Sequence, residues 1–152
     1  MGLDTANQER QMRSLADEKD EIREVMAHYC QALDACRFAD VAGLFAEDGE
    51  WTTDYGAASG RGEIEALLTR TVPKKGEGPQ RKHYIANIII KVDGDAASSV
   101  SDYLIIRESE SGLIPVMGGT YKDRFRKQDG VWRFVRKELV HDIAGDMALK
   151  TA

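Results

Sequence analysis

LIPVMGGTYKDRFRKQDGVWRFVRKELVHDI, residues 113–143, decides the fold. It holds two runs rich in β-branched and aromatic residues, 113–127 and 131–143, and Gln128-Asp129-Gly130 separates them. An Asp-Gly turn between two such runs specifies a tight hairpin, so the runs pair antiparallel. The Gly118–Gly119 pair interrupts the first run and predicts a bend. Upstream, HYIANIIIKV (83–92), the turn DGD (93–95) and AASSVSDYLIIRES (96–109) repeat the pattern. Four consecutive antiparallel strands are therefore expected, as a meander.

The first half has another period. Ile22, Val25, Met26, Tyr29, Cys30 and Leu33 recur at i, i+3, i+4 and i+7, the spacing of one helical stripe. This predicts a helix from Asp17, with Asp17 or Asp20 as its cap. A short helix fits FADVAGLF (38–45), a short strand fits Glu50 to Thr53, and SGRGEIEALLTRTV (59–72) reads as a third helix stopped by Pro73. Helices first and strands afterwards specify an α+β fold, with helices on one face of a curved, mostly antiparallel sheet. Such a sheet makes a cone with a closed end and an open mouth, and its inside is a natural pocket. The expected boundaries are an N-terminal tail at 1–16, one domain at 17–146 and a C-terminal tail at 147–152.

Bulk properties exclude several classes. The chain has 152 residues and a net charge of −5, with 42% hydrophobic and 31% charged residues. That composition fits one globular domain, and it lacks the basic footprint of a nucleic-acid binder. The longest apolar run, IANIII (85–90), is a buried strand's length and falls far below the ~20 residues of a membrane span. A polar, charged N-terminus argues against a secretory signal. Cys30 and Cys36 show no metal spacing and read as reduced thiols, with Cys30 in the core. Together these point to the cytoplasm, with no nucleic-acid or membrane partner.

Polar residues interrupt the apolar pattern at a few places. Strict alternation puts His83, Ile85, Asn87 and Ile89 on one strand face. It puts Asp102 in a row with Val100, Leu104 and Ile106, and brings His141 inward near the end of the last strand. On the first helix, with Ile22 at zero, Asp34 falls near ~120°, just beyond the apolar edge. That position suits either a solvated helix end or a carboxylate reaching a neighbouring pocket. Each residue taken singly also fits a bland role: a satisfied core histidine, a strand-edge charge, a core tyrosine with its hydroxyl at the rim. Trp51 and Tyr55 are placed at the mouth, Trp132 and Phe134 in the core. No HExxH, GxSxG or phosphate-binding glycine loop occurs, so no metal is expected.

These stretches in this order, YCQALD, ADVAGLFAEDGEW, GRGEIEALL, KHYIANIII, MGGTYKDRFRKQDGVWRF and the final VHD, resemble the SnoaL-like branch of the nuclear-transport-factor-2-like superfamily. The resemblance covers nearly the whole chain after residue 16 and implies a cone-shaped α+β barrel. Several enzymes of that superfamily, among them scytalone dehydratase, a hexachlorocyclohexane dehydrochlorinase and bile-acid 7α-dehydratase, use an Asp–His pair. Asp34 and His83 stand at those two positions. By the same resemblance Tyr29 and Asp102 match a catalytic tyrosine and a second carboxylate. His141 stands where the bile-acid enzyme has an arginine, a departure that leaves recognition of an anionic tail unsupported.

The resemblance implies a catalytic set of His83, Asp34, Tyr29 and Asp102, and the strand and mouth positions add His141, Trp51, Tyr55 and Asn87 as candidate substrate-binding residues. A histidine held by a carboxylate suits proton removal from a carbon beside a carbonyl or leaving group. Such elimination chemistry requires no cofactor, and none is signalled. The expected ligand is a small apolar cyclic molecule, and the expected assembly a homodimer or homotrimer. The alternatives are an isomerase or cyclase using the same base, and a non-catalytic assembly subunit like the small subunits of dioxygenases.

Overall fold

The computed structural model describes residues 2–150. Its elements, in chain order, are α1 (Gly2–Asp34), α2 (Phe38–Gly43), β1 (Phe45–Thr53), β2 (Gly56–Ser59), α3 (Arg61–Thr71), β3 (Arg81–Asp93), β4 (Ala96–Ser109), β5 (Gly112–Gln128) and β6 (Val131–Ala144). The six strands form one open sheet in the order β2-β1-β6-β5-β4-β3. The α+β architecture and the meander β3 to β6 are as expected.

Three features differ from the sequence reading. Helix α1 starts at Gly2, where a tail was expected, because a helix can continue into solvent without an apolar stripe. The strand expected at Glu50–Thr53 starts at Phe45 and forms a hairpin with β2, which had no sequence assignment. Strand β1 then pairs parallel with β6, Glu50 against Arg136 and Thr53 against Leu139. A parallel partner far along the chain leaves no local turn signal.

Helix α1 buries the predicted stripe: Ile22, Met26, Tyr29, Cys30 and Leu33 are all inside. Its end is set by a C-terminal capping motif. Cys36 adopts φ 55°, its N–H bonds to Leu33 O, and the Arg37 N–H bonds to Ala32 O. That stop leaves Asp34 on the last helical turn, facing β3. Further back, Glu18 ties α1 to the β5–β6 hairpin through Lys127 Nζ at 2.7 Å. Val72 is extended before Pro73, as sterics demand, and this ends α3.

The closed end of the cone is aromatic. Phe45, Phe134 and Phe125 pack in series with ring centroids 5.1 and 4.8 Å apart, and Tyr29 meets Phe134 edge-on at 5.8 Å. Each such ring contributes about 1.5–3 kcal/mol by burial. Near the open end the sheet bends where β5 pairs out of step with β6 between Gly118 and Gly119. A Cβ on Gly119 would collide with Val140 O and lie 2.6 Å from Tyr103 Oη, so β4, β5 and β6 approach there only because glycine has no side chain.

Candidate functional site

Between the aromatic end and the mouth lies a cavity of about 180 Å³. Its walls are mostly apolar, from Leu33, Leu68, Ile105, Met117 and Leu139. Tyr29, Trp51, Arg81, His83 and His141 add polar atoms to this wall, and Tyr55 lies at the exposed rim.

The Asp34–His83 contact joins the end of α1 to the start of β3. His83 Nδ1 lies 2.6 Å from Asp34 Oδ1, and the His83 backbone N–H donates to both carboxylate oxygens at 3.1–3.2 Å. The two side chains are only 5% and 11% exposed. With Nδ1–H donated to the carboxylate, the Nε2 lone pair is the free basic position on the ring. Asp34 itself stands off the cavity wall and contacts the imidazole and backbone of His83.

Tyr29 is fully buried, and its Oη accepts the Trp51 indole N–H at 3.0 Å. Burial pushes the hydroxyl far above its ordinary pKa, so it remains a neutral O–H with a proton to donate. Across the cavity Tyr103 Oη lies 2.6 Å from His141 Nδ1, and the Tyr55 ring stacks on the His141 imidazole at 5.1 Å. His141 Nε2 is buried without a protein partner. Desolvation lowers the His141 pKa below the usual histidine value, against weaker pull from Asp54 and Asp142. Burial also raises the Cys30 thiol to about 12, which makes it a core residue rather than a nucleophile.

Asp102 and Asn87 are not part of this site. They bond to each other, Asn87 Nδ2 to Asp102 Oδ2 at 2.6 Å, on the exposed outer face of the sheet. Asp102 faces out by plain alternation between the buried Ser101 and Tyr103, and for Asn87 the cause is a bulge. Asn87 sits at φ 53°, and between the pairs Ala86↔Asp102 and Ile89↔Val100 strand β3 spends one more residue than β4. Alternation therefore reverses after Ala86: His83 faces in, Ile90 faces in, and Ile89 is 65% exposed. The row of Val100, Asp102 and Leu104 is that same outer face, apolar yet largely exposed.

Two more residues belong to this region, Arg81 on the cavity wall and Tyr103 bonded to His141, and neither stood out in the sequence. Arg81 lies two positions before His83, so period-two alternation alone places it beside the histidine. Tyr103 follows Asp102 and faces inward for the same reason.

An α+β cone with a largely apolar cavity and a buried carboxylate–histidine contact defines the class of this protein. The model of the SnoaL-like domain matches residues 14–138, and this chain belongs to that family. The family includes polyketide cyclases and dehydratases. An uncharacterized protein of Mycobacterium tuberculosis is 28% identical over 137 residues, covering 85% of this chain and 90% of its own. Among solved structures, an NTF2-like protein with a cystatin-like fold from Novosphingobium aromaticivorans superposes with a TM-score of 0.82 at 25% identity, covering 94% of this chain and 92% of that one. The β subunit of a putative aromatic-ring-hydroxylating dioxygenase from the same organism shares the fold, with a TM-score of 0.73 at 20% identity over 86% of this chain and 92% of that one.

Proposed function

We propose that this chain is a cofactor-independent lyase, catalysing a dehydratase-type elimination on an apolar cyclic small molecule such as a steroid or polyketide. The observation that carries this reading is the 2.6 Å Asp34–His83 contact, buried at a largely apolar cavity. His83 Nε2 takes a proton from a carbon beside the substrate carbonyl, and Asp34 stabilises the imidazolium that forms. The Tyr29 hydroxyl donates to the carbonyl oxygen as negative charge develops there. The imidazolium then returns its proton to the departing hydroxyl, so water leaves and His83 ends neutral. His141 and Trp51 shape and bind the ring system, and Tyr55 covers the rim. An isomerase or cyclase uses the same base and returns the proton to carbon instead.

A second reading rests on the shared fold of the dioxygenase β subunit: a non-catalytic subunit that assembles with a partner. His83→Ala separates the two. Turnover of a screened steroid or polyketide β-hydroxy ketone is expected to vanish in this variant while assembly is kept. If a hydroxy-ketone library gives no turnover with the wild type, and an endogenous partner co-purifies equally with wild type and variant, the lyase reading fails. The same reading places the protein in the cytoplasm as a homodimer or homotrimer. No helix among the described residues is long and apolar enough to cross a membrane.

A further inference from the structure

Residues 145–150 carry no helix or strand, yet they cross from the end of β6 to the end of α3 along one rim of the cavity. The crossing is fastened at each element it passes. The Gly145 N–H donates to Val116 O on β5 at 2.6 Å, Arg107 Nε on β4 to Asp146 O at 3.1 Å, and Arg81 Nη2 on β3 to Met147 O at 2.9 Å. At the far end the Lys150 N–H donates to Thr71 O at 3.1 Å, and Lys150 Nζ meets Glu77 Oε2 at 2.7 Å. Met147 and Leu149 line the cavity; Met147 packs against the core and Leu149 is exposed at the rim.

The segment is held lightly. Ala148 sits at φ 49°, a left-handed conformation that a residue with a Cβ adopts only at a cost. Among the described residues its side chains make two ion pairs with the rest of the chain. Asp146 and Arg107 are 3.8 Å apart, and Lys150–Glu77 is closer but partly exposed on both sides. A pair of that kind shifts an equilibrium by about fivefold at most. Segments with few buried contacts open locally while the sheet beneath them stays folded. Opening starts at α3, where one backbone bond and one surface pair hold the chain; at the other end it continues β6 and is gripped by Arg81 and Arg107.

We propose that residues 145–150 are a strap that gates the cavity, lifting from α3 to admit a small ring-bearing ligand and closing with the Met147 side chain against it. An unbranched thioether suits that place, because it adapts to the shape it covers. Size agrees with a ligand of one or two rings: an apolar cavity of about 150 Å³ holds benzene, and this one has about 180 Å³ with an open mouth. The gate rests on the cavity taking a ligand and not on the lyase chemistry.

The probe is 2-naphthol, neutral and two-ringed, and stopped-flow fluorescence on the full chain gives both rates. Glu77→Lys sets two cations against each other at the closing contact. Association and dissociation should both rise by about fivefold with little change in affinity, because a gate delays entry and exit alike. Glu77→Lys combined with Lys150→Glu restores an opposite pair and should return both rates to within about twofold of the wild type. Salt should speed both rates in the wild type by screening the pair, and should not in Lys150→Met. The Met147 methyl resonance should shift when naphthol binds. Rates indifferent to Glu77→Lys, or an exchanged pair as fast as the single variant, overturn the gate. A Met147 methyl that stays put overturns it as well. Absence of naphthol binding in all these proteins rejects the cavity as a site for such a ligand, and the gate with it. The lyase reading is decided separately, by turnover in His83→Ala.

Discussion

Asp34 holds His83 by two kinds of contact at once, one carboxylate oxygen on the ring Nδ1 at 2.6 Å and both oxygens on the backbone N–H at 3.1–3.2 Å. The ring and the strand it stands on are thus oriented by the same carboxylate. Asp34→Asn keeps the size but offers N–H where the ring needs an acceptor. Nitrogen NMR should show wild-type His83 protonated on Nδ1 and free on Nε2, and the variant should lose that fixed tautomer. Turnover should fall by roughly 10²–10⁴-fold. An unchanged tautomer in the variant contradicts a positioning role for Asp34.

Lys137 and Asp123 are both fully or almost fully buried, 3.2 Å apart, with the ammonium 3.6 Å from the centre of the Tyr121 ring. Desolvation lowers the lysine pKa and raises the aspartate's, and each partner opposes that for the other. Lys137→Met alone strands a buried carboxylate and should cost about 3–5 kcal/mol in denaturant melts. Lys137→Met with Asp123→Leu should recover most of it, because a buried ion pair is often worth no more than apolar packing of equal volume. A double variant as unstable as the single one argues that the pair contributes a large net stabilisation.

The His141 shift has a definite sign in stability. Its native pKa lies below the unfolded value of about 6.5, so below that pH the unfolded chain binds more protons than the native one. Stability contributed by neutral His141 is therefore present above about pH 6.5 and is lost as pH falls from there towards the native pKa. Comparing the wild type with His141→Gln at pH 7.5 and 5.5 isolates this: the variant should lose less stability on acidification. Equal losses would remove His141 from the pH dependence.

The outer face of β3 and β4 is apolar where a lone chain has little use for it. Tyr84 sits opposite Leu104, and Ile89 opposite Val100, and the four are 43–65% exposed. Exposed apolar side chains on both sides of the Asn87–Asp102 pair suit an association surface. The proposed occupant is a second copy of this chain. Light scattering should find a dimer or trimer in the wild type and a monomer for Ile89→Glu, which puts a charge into the patch without touching the cavity. A wild-type monomer at micromolar concentration rejects the assembly.

Local patterns carried most of the architecture. The Asp129-Gly130 turn, the β-branched runs and the stripe Ile22 to Leu33 each express a rule that acts within a few residues. The double glycine at 118–119 likewise marked the bend, since only glycine admits the contact with Tyr103 and Val140. The pairing of β1 with β6 was not legible, because its partners lie more than eighty residues apart with no turn between them. Alternation drew Asn87 into the site and one bulge residue turned it outward, whereas Asp102 entered through the resemblance and plain alternation on β4 puts it outside. Arg81 and Tyr103 needed only the plain alternation that holds on β3 before the bulge and along β4.

The sequence by itself determined the α+β class, the meander and the buried helix stripe, because hydrophobic period and turn chemistry are local. It pointed to Asp34 and His83 through family resemblance, residues 49 positions apart. Only the tertiary structure decided that they touch and that His141 meets Tyr103, and only it left Arg81 with two donors unmet beside them. Those outcomes depend on where the α1 capping motif stops the helix and where β3 bulges. A shift of one residue at either place changes which side chains face the cavity, and one strand's pattern alone does not report it.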